Sequence, residues 1–339
     1  MGVPSVTSAL YGDEPALVMR ASSYEAWVLP GIGGHMVALR DKAHGLNVLR
    51  EPLAGLHGDL TAYRREPIPY GIPLLFPPNR IEDGTFTAAG VTYRFPINEP
   101  QLHNRLHGFF ARSPWQVVEQ GADGPQAVLC LRRCLREEDE EFRWFPHRLT
   151  LQLRYRLSDQ GLAWTVQATN DGQRPIPLML GFHTALQVPP SADADALPCD
   201  LYMNIGEQWE LNDRKLPSGR TVPPDAMAAA IASGSGDPFA HPIDALYSST
   251  PLGGPNVCRL RFPGLGVSVL YETDPKFRAW MLWNGDAKSG FFCPEPMTCL
   301  VNAPNLDLPW ELSGMQLLPG GATWSAKSRL FVATCPGPR

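Results

Sequence analysis

The sequence predicts an all-β protein of large, mostly antiparallel sheets, and three observations carry that reading. In LTLQLRYRLSDQGLAWTVQATN, Leu149, Leu151, Leu153, Tyr155 and Leu157 alternate with polar residues, and the alternation resumes at Leu162, Trp164, Val166 and Ala168 after a turn ending in Gly161. Period 2 on both sides of such a turn is a hairpin with one buried face. VCRLRFPGLGVSVLYE repeats the plan around Pro263-Gly264-Leu265-Gly266. Helix signals are scarce, while 35 prolines and 31 glycines are spread along the whole chain and form no linker. The expected organisation is therefore a single domain spanning residues 1–339.

Taken in chain order, PGIGGH at Pro30 to His35 reads as a tight turn between strands. A dinucleotide loop would need a third glycine where Met36 stands and a helix after it. GIPLLFPPNRIEDGTF begins as a buried strand and ends in a turn, with Asn79-Arg80 placed directly after Phe76-Pro77-Pro78. His103 and His107 are four residues apart, a zinc spacing on a helix, but Pro96, Pro100 and Gly108 around them speak against a helix. The charge run Arg136 to Glu141 reads as a solvated hairpin tip. The best helix is PDAMAAAIASG, with Asp225 as N-cap and Gly234 as its stop.

Composition narrows the function. A net charge of −5 gives no electrostatic reason to expect nucleic acid or an anionic membrane as partner. No apolar run approaches the ~18–20 residues that span a bilayer. The N-terminal MGVPSVTSAL has no basic-then-apolar pattern of a signal peptide, and Val6 breaks a myristoylation motif. Seven cysteines without a Cys-x-x-Cys read as free thiols of a reducing compartment, so a cytoplasmic location is expected. Neither a Gly-x-Ser-x-Gly elbow nor a P-loop is present.

Polar residues that interrupt apolar or Gly/Pro-shaped backbone are the candidates for chemistry. Arg80 follows LLFPPN, His107 precedes Gly108-Phe109-Phe110, His183 lies in PLMLGFHTAL, and Glu295 lies in GFFCPEPMT between two prolines. An unpaired buried charge costs several kcal/mol. Each of these residues therefore has a structural partner or faces a wet cleft. Together they are the parts of an acid–base site.

These segments, GIPLLFPPNRIEDGTFTAAGVTYRFPIN, then LHG, LGFH, EPMT and NAPN, resemble the aldose 1-epimerase (galactose mutarotase) family, in order, from about Trp27 to Phe331. WFPHRLTLQLRYRLSDQGL resembles its central hairpin and PSGR, Pro217 to Arg220, its Pro-Ser/Thr-Gly turn. The resemblance implies a β-supersandwich around one sugar cleft, a small-molecule aldose as partner, and exchange of its α and β anomers without metal or cofactor. It implies Glu295 as catalytic base, His183 as catalytic acid and His107 as the second catalytic histidine. Asn79 and Arg80 are then substrate-binding residues, and Asp244 in HPIDALY is the nearest match to the family's sugar-binding aspartate.

The chain also departs from the pattern. Thr184-Ala185-Leu186 stand where the galactose enzymes carry aromatic residues after the histidine, which points away from galactose. Pro294 replaces the commoner apolar residue before the glutamate. Three alternatives follow: a sugar-phosphate mutarotase drawing on Arg64, Arg65 or Arg105, a non-catalytic sugar-binding protein, and a polysaccharide lyase, for which no Tyr or Lys motif is evident. Arg80 has two readings as well, a fork of donors for sugar oxygens or a lock on a nearby carboxylate. Trp283 is either an apolar platform for the sugar or a core residue. The sequence names neither the sugar nor the oligomeric state.

Overall fold

The computed structural model describes residues 3–53, 58–191 and 198–335. Every paired strand within it is antiparallel, and two large sheets dominate. The first runs in the order Gln116–Asp123, Gln126–Leu135, Leu149–Ser158, Gly161–Asn170, Thr323–Thr334, Val267–Thr273, Asn256–Phe262, Asp200–Met203. The second runs Pro217–Val222, Ile205–Leu211, Asp244–Ser249, Ala279–Trp283, Phe291–Met297, Gly181–Phe182, Leu74–Leu75, with Leu186–Gln187 also paired to Phe291–Met297. A five-stranded meander from Ser5–Tyr11 to Leu46–Asn47 completes the main body.

The alternation in sequence becomes alternation in burial. Along Leu149–Ser158 every apolar position is buried and every polar one between them is partly exposed, until Ser158 closes the strand. One apolar cluster joins Met19 and Val28 of the meander, Leu153 and Trp164 of the first sheet, and Phe182, Trp280 and Phe292 of the second. Because side chains point to opposite faces at successive residues, burying Trp280, Leu282 and Phe292 in that cluster turns Met281, Trp283 and Glu295 to the other face of the second sheet.

The second hairpin forms as expected, Asn256–Phe262 pairing with Val267–Thr273. The expected helix forms at Ala226–Ser233, where Asp225 accepts a hydrogen bond from the Ala228 N–H and Gly234 closes the end with φ 83°. Two details differ from expectation. Pro217–Arg220 opens an edge strand, not a turn, with a bulge opposite Trp209 and Leu211 and a positive φ at Gly219. The charge run is partly structural, since Asp139 pairs with Arg133 at 2.8 Å and Glu141 accepts from Ser113, while Glu137 and Glu138 are exposed. All seven cysteines are free. Among the described residues no helix is long and apolar enough to cross a membrane.

His35 begins the strand His35–Asp41 and is wholly buried, its Nδ1 3.0 Å from the Tyr63 hydroxyl. Burial, with the Arg112 charge adding, pushes it down to about 3. The unfolded chain then binds a proton near 6.5 that the folded chain refuses until about 3, so this group's contribution to stability is full above 6.5 and is lost as pH falls through that window. Each such group adds a slope of about 1.4 kcal/mol per pH unit. His35→Gln should remove one proton's worth of slope, read from denaturant unfolding at several pH values between 6.5 and 4; an unchanged slope would show that His35 protonates in the native state.

Candidate active site

Two pairings place the central pair of side chains. Gly181 pairs with Met297 and Leu186 with Phe292. Continued across the residues between, this register sets His183 opposite Glu295. The ladder to that side is interrupted over the same residues, where Pro294 and Pro296 have no N–H to give. The His183 and Ala185 N–H groups instead donate to the carbonyls of Pro73 and Gly71. Prolines tolerated at this interruption leave Glu295 in a sheet interior without a regular partner strand beside it. The result is a contact of 3.2 Å between His183 Nε2 and Glu295 Oε1, with both side chains buried. On the other side Glu295 pairs with Met281, while Trp283 pairs with Asp244, so Met281, Trp283 and Asp244 lie on the face that carries Glu295.

The second wall comes from the segment around Arg80. The chain leaves Leu74–Leu75 through Phe76-Pro77-Pro78, and Asn79, with φ 51°, accepts the Arg80 N–H on its own Oδ1. The Asn79 carbonyl accepts from His107, and Leu106 pairs with Arg80. His107 and Gly108 both take left-handed backbone, φ 60° and 63°. A Cβ on Gly108 would lie 2.1 Å from the Phe76 carbonyl oxygen, so only glycine lets the chain fold this closely and aim His107. NAPN acts on the same wall: the Asn302 N–H donates to the Arg80 carbonyl, and its Oδ1 accepts from the Glu82 N–H.

All six residues expected for the site, Asn79, Arg80, His107, His183, Asp244 and Glu295, line one cavity of about 240 Å³, together with Met281 and Trp283. The His107 and His183 rings meet edge to face, 5.2 Å between centroids, and Trp283 meets His183 at 5.6 Å. Trp283 is partly exposed, a wall of the cavity more than a core residue. Burial pushes the Glu295 carboxyl well above the ordinary carboxylate range; Asp244 adds to this, and Arg80 and the Asn79 amide act against it. Burial, with the Arg50 charge adding, pushes His183 down to about 3. His107 is lowered too, by burial and then by His183 and Arg80. Among the described residues, Glu295 Oε2, His183 Nδ1 and His107 Nδ1 are buried without a hydrogen-bond partner. The arrangement is an uncharged-leaning carboxyl–imidazole pair at the wall of a cavity rimmed by donors.

Arg80 meets the reading of a lock on a nearby carboxylate. Its Nε and Nη2 bind the Glu99 carboxylate at 2.9 and 3.0 Å, and the residue still lines the cavity. Glu99 is in turn held by Asn104 at 3.0 Å. Asp244 has Lys215 Nζ at 3.4 Å. Glu99, Lys215 and Met281 carried no sequence signal, because their roles arise from long-range pairing. His103 is exposed and pairs with Asp83, outside the cavity. Among the described residues no group of three or more His, Cys, Asp or Glu is placed to hold a metal. Thr184 is buried on the far side and donates to the Tyr271 hydroxyl, while Ala185, on the face of His183, packs against Phe291, Cys293 and Trp283, so no aromatic side chain follows His183 into the cavity.

The chain is thus an antiparallel all-β scaffold with a buried Glu–His pair in a cavity lined by Asn79, Arg80 and Asp244. The family model for aldose 1-epimerase matches residues 15–330, and the chain belongs to that family. It is similar in structure to a galactose mutarotase-like protein of Clostridium acetobutylicum, with TM-score 0.92, 29% identity, and 97% and 98% of the two chains covered. A galactose 1-epimerase of Lactobacillus acidophilus shares the fold at TM-score 0.74 and 14% identity over 98% and 100% of the chains. A galactose mutarotase-like protein of Lactobacillus casei does so at 0.65 and 18%, over 94% and 100%.

Gly108→Ala should destabilise by about 3 kcal/mol or more, because a backbone carbonyl must move. Gly124→Ala is the control: its φ is also positive, 56°, but nothing lies within 4 Å of a Cβ there. It should cost only about 1–2 kcal/mol of backbone strain. Thermal unfolding of both variants checks this, and equal losses would mean that the close approach at Gly108 is not the constraint.

Proposed function

We propose that this chain interconverts the α and β anomers of a free aldose by acid–base ring opening and closure. The observation that carries the reading is the contact between His183 Nε2 and Glu295 Oε1, buried and facing a sugar-sized cavity. Glu295 takes the proton of the anomeric hydroxyl, and His183 gives a proton to the ring oxygen. The C1–O5 bond breaks and C1 becomes an aldehyde. Rotation about C1–C2 presents its other face, O5 attacks, and both protons return. Atoms and charge balance with no redox partner. His107 and the Arg80 fork hold sugar oxygens, Asn79 supports the glutamate, and Asp244 binds a hydroxyl further along the sheet.

The pair shares one proton. Burial favours the neutral form of each member, and the working form has the proton on His183 with Glu295 ionised. Arg80 and Asn79, which act to lower the Glu295 pKa, favour that working form. A binding protein would gain nothing from burying this pair, so catalysis is the better reading. The sugar-phosphate alternative loses two of its three arginines: Arg64 is engaged by Asp13 and Glu14, and Arg105 by the carbonyls of Gly108 and Pro96.

Glu295→Gln and His183→Ala should each lower kcat for anomer exchange by ~10²–10⁴-fold, measured by polarimetry, while His103→Ala should match the parent. A Glu295→Gln variant with half the parent's kcat or more would remove the base assignment. The pH profile should be broad. The pair gains a second proton only as pH falls toward the lowered His183 value of about 3, and loses its last one only well above the ordinary glutamate value of 4.5. Activity confined between 4.5 and 6.5 would mean that burial does not govern the pair. Arg80→Lys should raise KM and lower kcat although the charge is kept, since a point charge cannot hold Glu99 in two bonds and offer a donor to the sugar. Kinetics indistinguishable from the parent would leave Arg80 a purely structural residue.

A further inference from the structure

We propose that the cleft continues past Trp283 into a second subsite that takes the next sugar ring of a reducing oligosaccharide. This rests on the anomer-exchange reading of the inner cavity. That cavity, about 240 Å³, is smaller than the ~300–1,000 Å³ of typical small-molecule sites and suits one ring. Beside it lies a more open groove of about 570 Å³, which shares Glu66, Pro69 and Trp283 with the inner cavity. A group attached to the aldose away from its anomeric carbon has this groove to enter.

The lining suits a neutral sugar. Trp283 and Tyr70, both partly exposed, supply aromatic surface, and the C–H face of a pyranose stacks on such rings while its hydroxyls turn to polar neighbours. The Arg50 guanidinium lies over the Phe291 ring at 3.9 Å and the Tyr70 ring at 4.7 Å, held by a hydrogen bond to the Pro69 carbonyl. Among the described residues Arg50 has no carboxylate partner, so its remaining donors are open to hydroxyl oxygens. The lining carries as many carboxylates as guanidiniums, Glu66 and Asp286 beside Arg50 and Arg65, with Glu66 also 3.6 Å from Arg112, so it is not the cation cluster that a phosphate dianion calls for. Mixed donors and acceptors beside aromatic faces, with no net charge, are the chemistry of a polyhydroxylated neutral ring.

The test compares anomer exchange of maltose, cellobiose and lactose with that of glucose, galactose and glucose 6-phosphate, in the parent and in Tyr70→Ala and Arg65→Ala. Both residues line only the outer groove, and Arg65 is exposed, so its variant does not threaten the fold. At least one disaccharide should exceed its monosaccharide in kcat/KM by about ten-fold. Both variants should cut that advantage several-fold, through KM, and leave the monosaccharide unchanged. Equal losses on mono- and disaccharides, no disaccharide advantage, or preference for glucose 6-phosphate would overturn the subsite. If no sugar exchanges anomers, the catalytic reading fails, and calorimetry with the same disaccharides still decides the subsite: binding weakened by Arg65→Ala supports it, and absence of binding to the parent overturns it.

Discussion

A sheet that buries a carboxylate must supply it with a proton or a partner, and the structure around Glu295 follows from that demand. The side chain is 2% exposed, in the interior of a seven-strand path. An isolated ion there would cost several kcal/mol. His183 meets it across a gap in the ladder, and Arg80 and Asn79 approach from a separate wall. These groups come from sequence positions more than two hundred residues apart. The interruption of the ladder, the fold of the Asn79–His107 wall and the anchoring by Asn302 all serve to bring them to one carboxyl group.

The parts of the fold that were legible in the sequence are those set by near neighbours. The Leu149–Asn170 hairpin, the turn at Pro30 to His35 and the helix capped by Asp225 each follow from spacing or capping within a short window. The order of strands within each sheet does not. Thr323–Thr334 lies between Gly161–Asn170 and Val267–Thr273, a placement no local pattern announces. The site divides the same way. Apolar settings drew attention to Arg80, His183 and Glu295, but only the family resemblance assigned roles to them and to Asp244. Glu99 and Lys215 were illegible because nothing beside them in the chain marks their partners, which lie 19 and 29 residues away.

Arg80 is an ion-pair partner and a cavity wall in one side chain. A guanidinium has five donors in a fixed plane, and the bidentate grip of Glu99 uses one edge of it. The grip holds the plane still, and a still plane can offer its remaining donors to the cavity at low entropic cost. Asn104 repeats the device one step back by holding Glu99. The rigidity of the site thus comes from polar side chains fixed in sequence, supported beneath by the aromatic packing of Phe76 against Phe109, Phe110 and Phe145.

The prolines on both sides of Glu295 bear on how the sheet assembles. A strand slipped by one residue against Ala279–Trp283 would turn its whole side-chain set to the opposite face. For Phe291–Met297 that error would drive the glutamate into the aromatic cluster around Trp280 and shift the two donorless residues to new places in the ladder. The misaligned sheet would suffer an electrostatic and a hydrogen-bond penalty together. Site and alignment are thereby coupled: the carboxyl group that faces the cavity in the correct pairing acts as a checkpoint against the incorrect ones, so keeping that one group also favours a unique assembly of the strands around it.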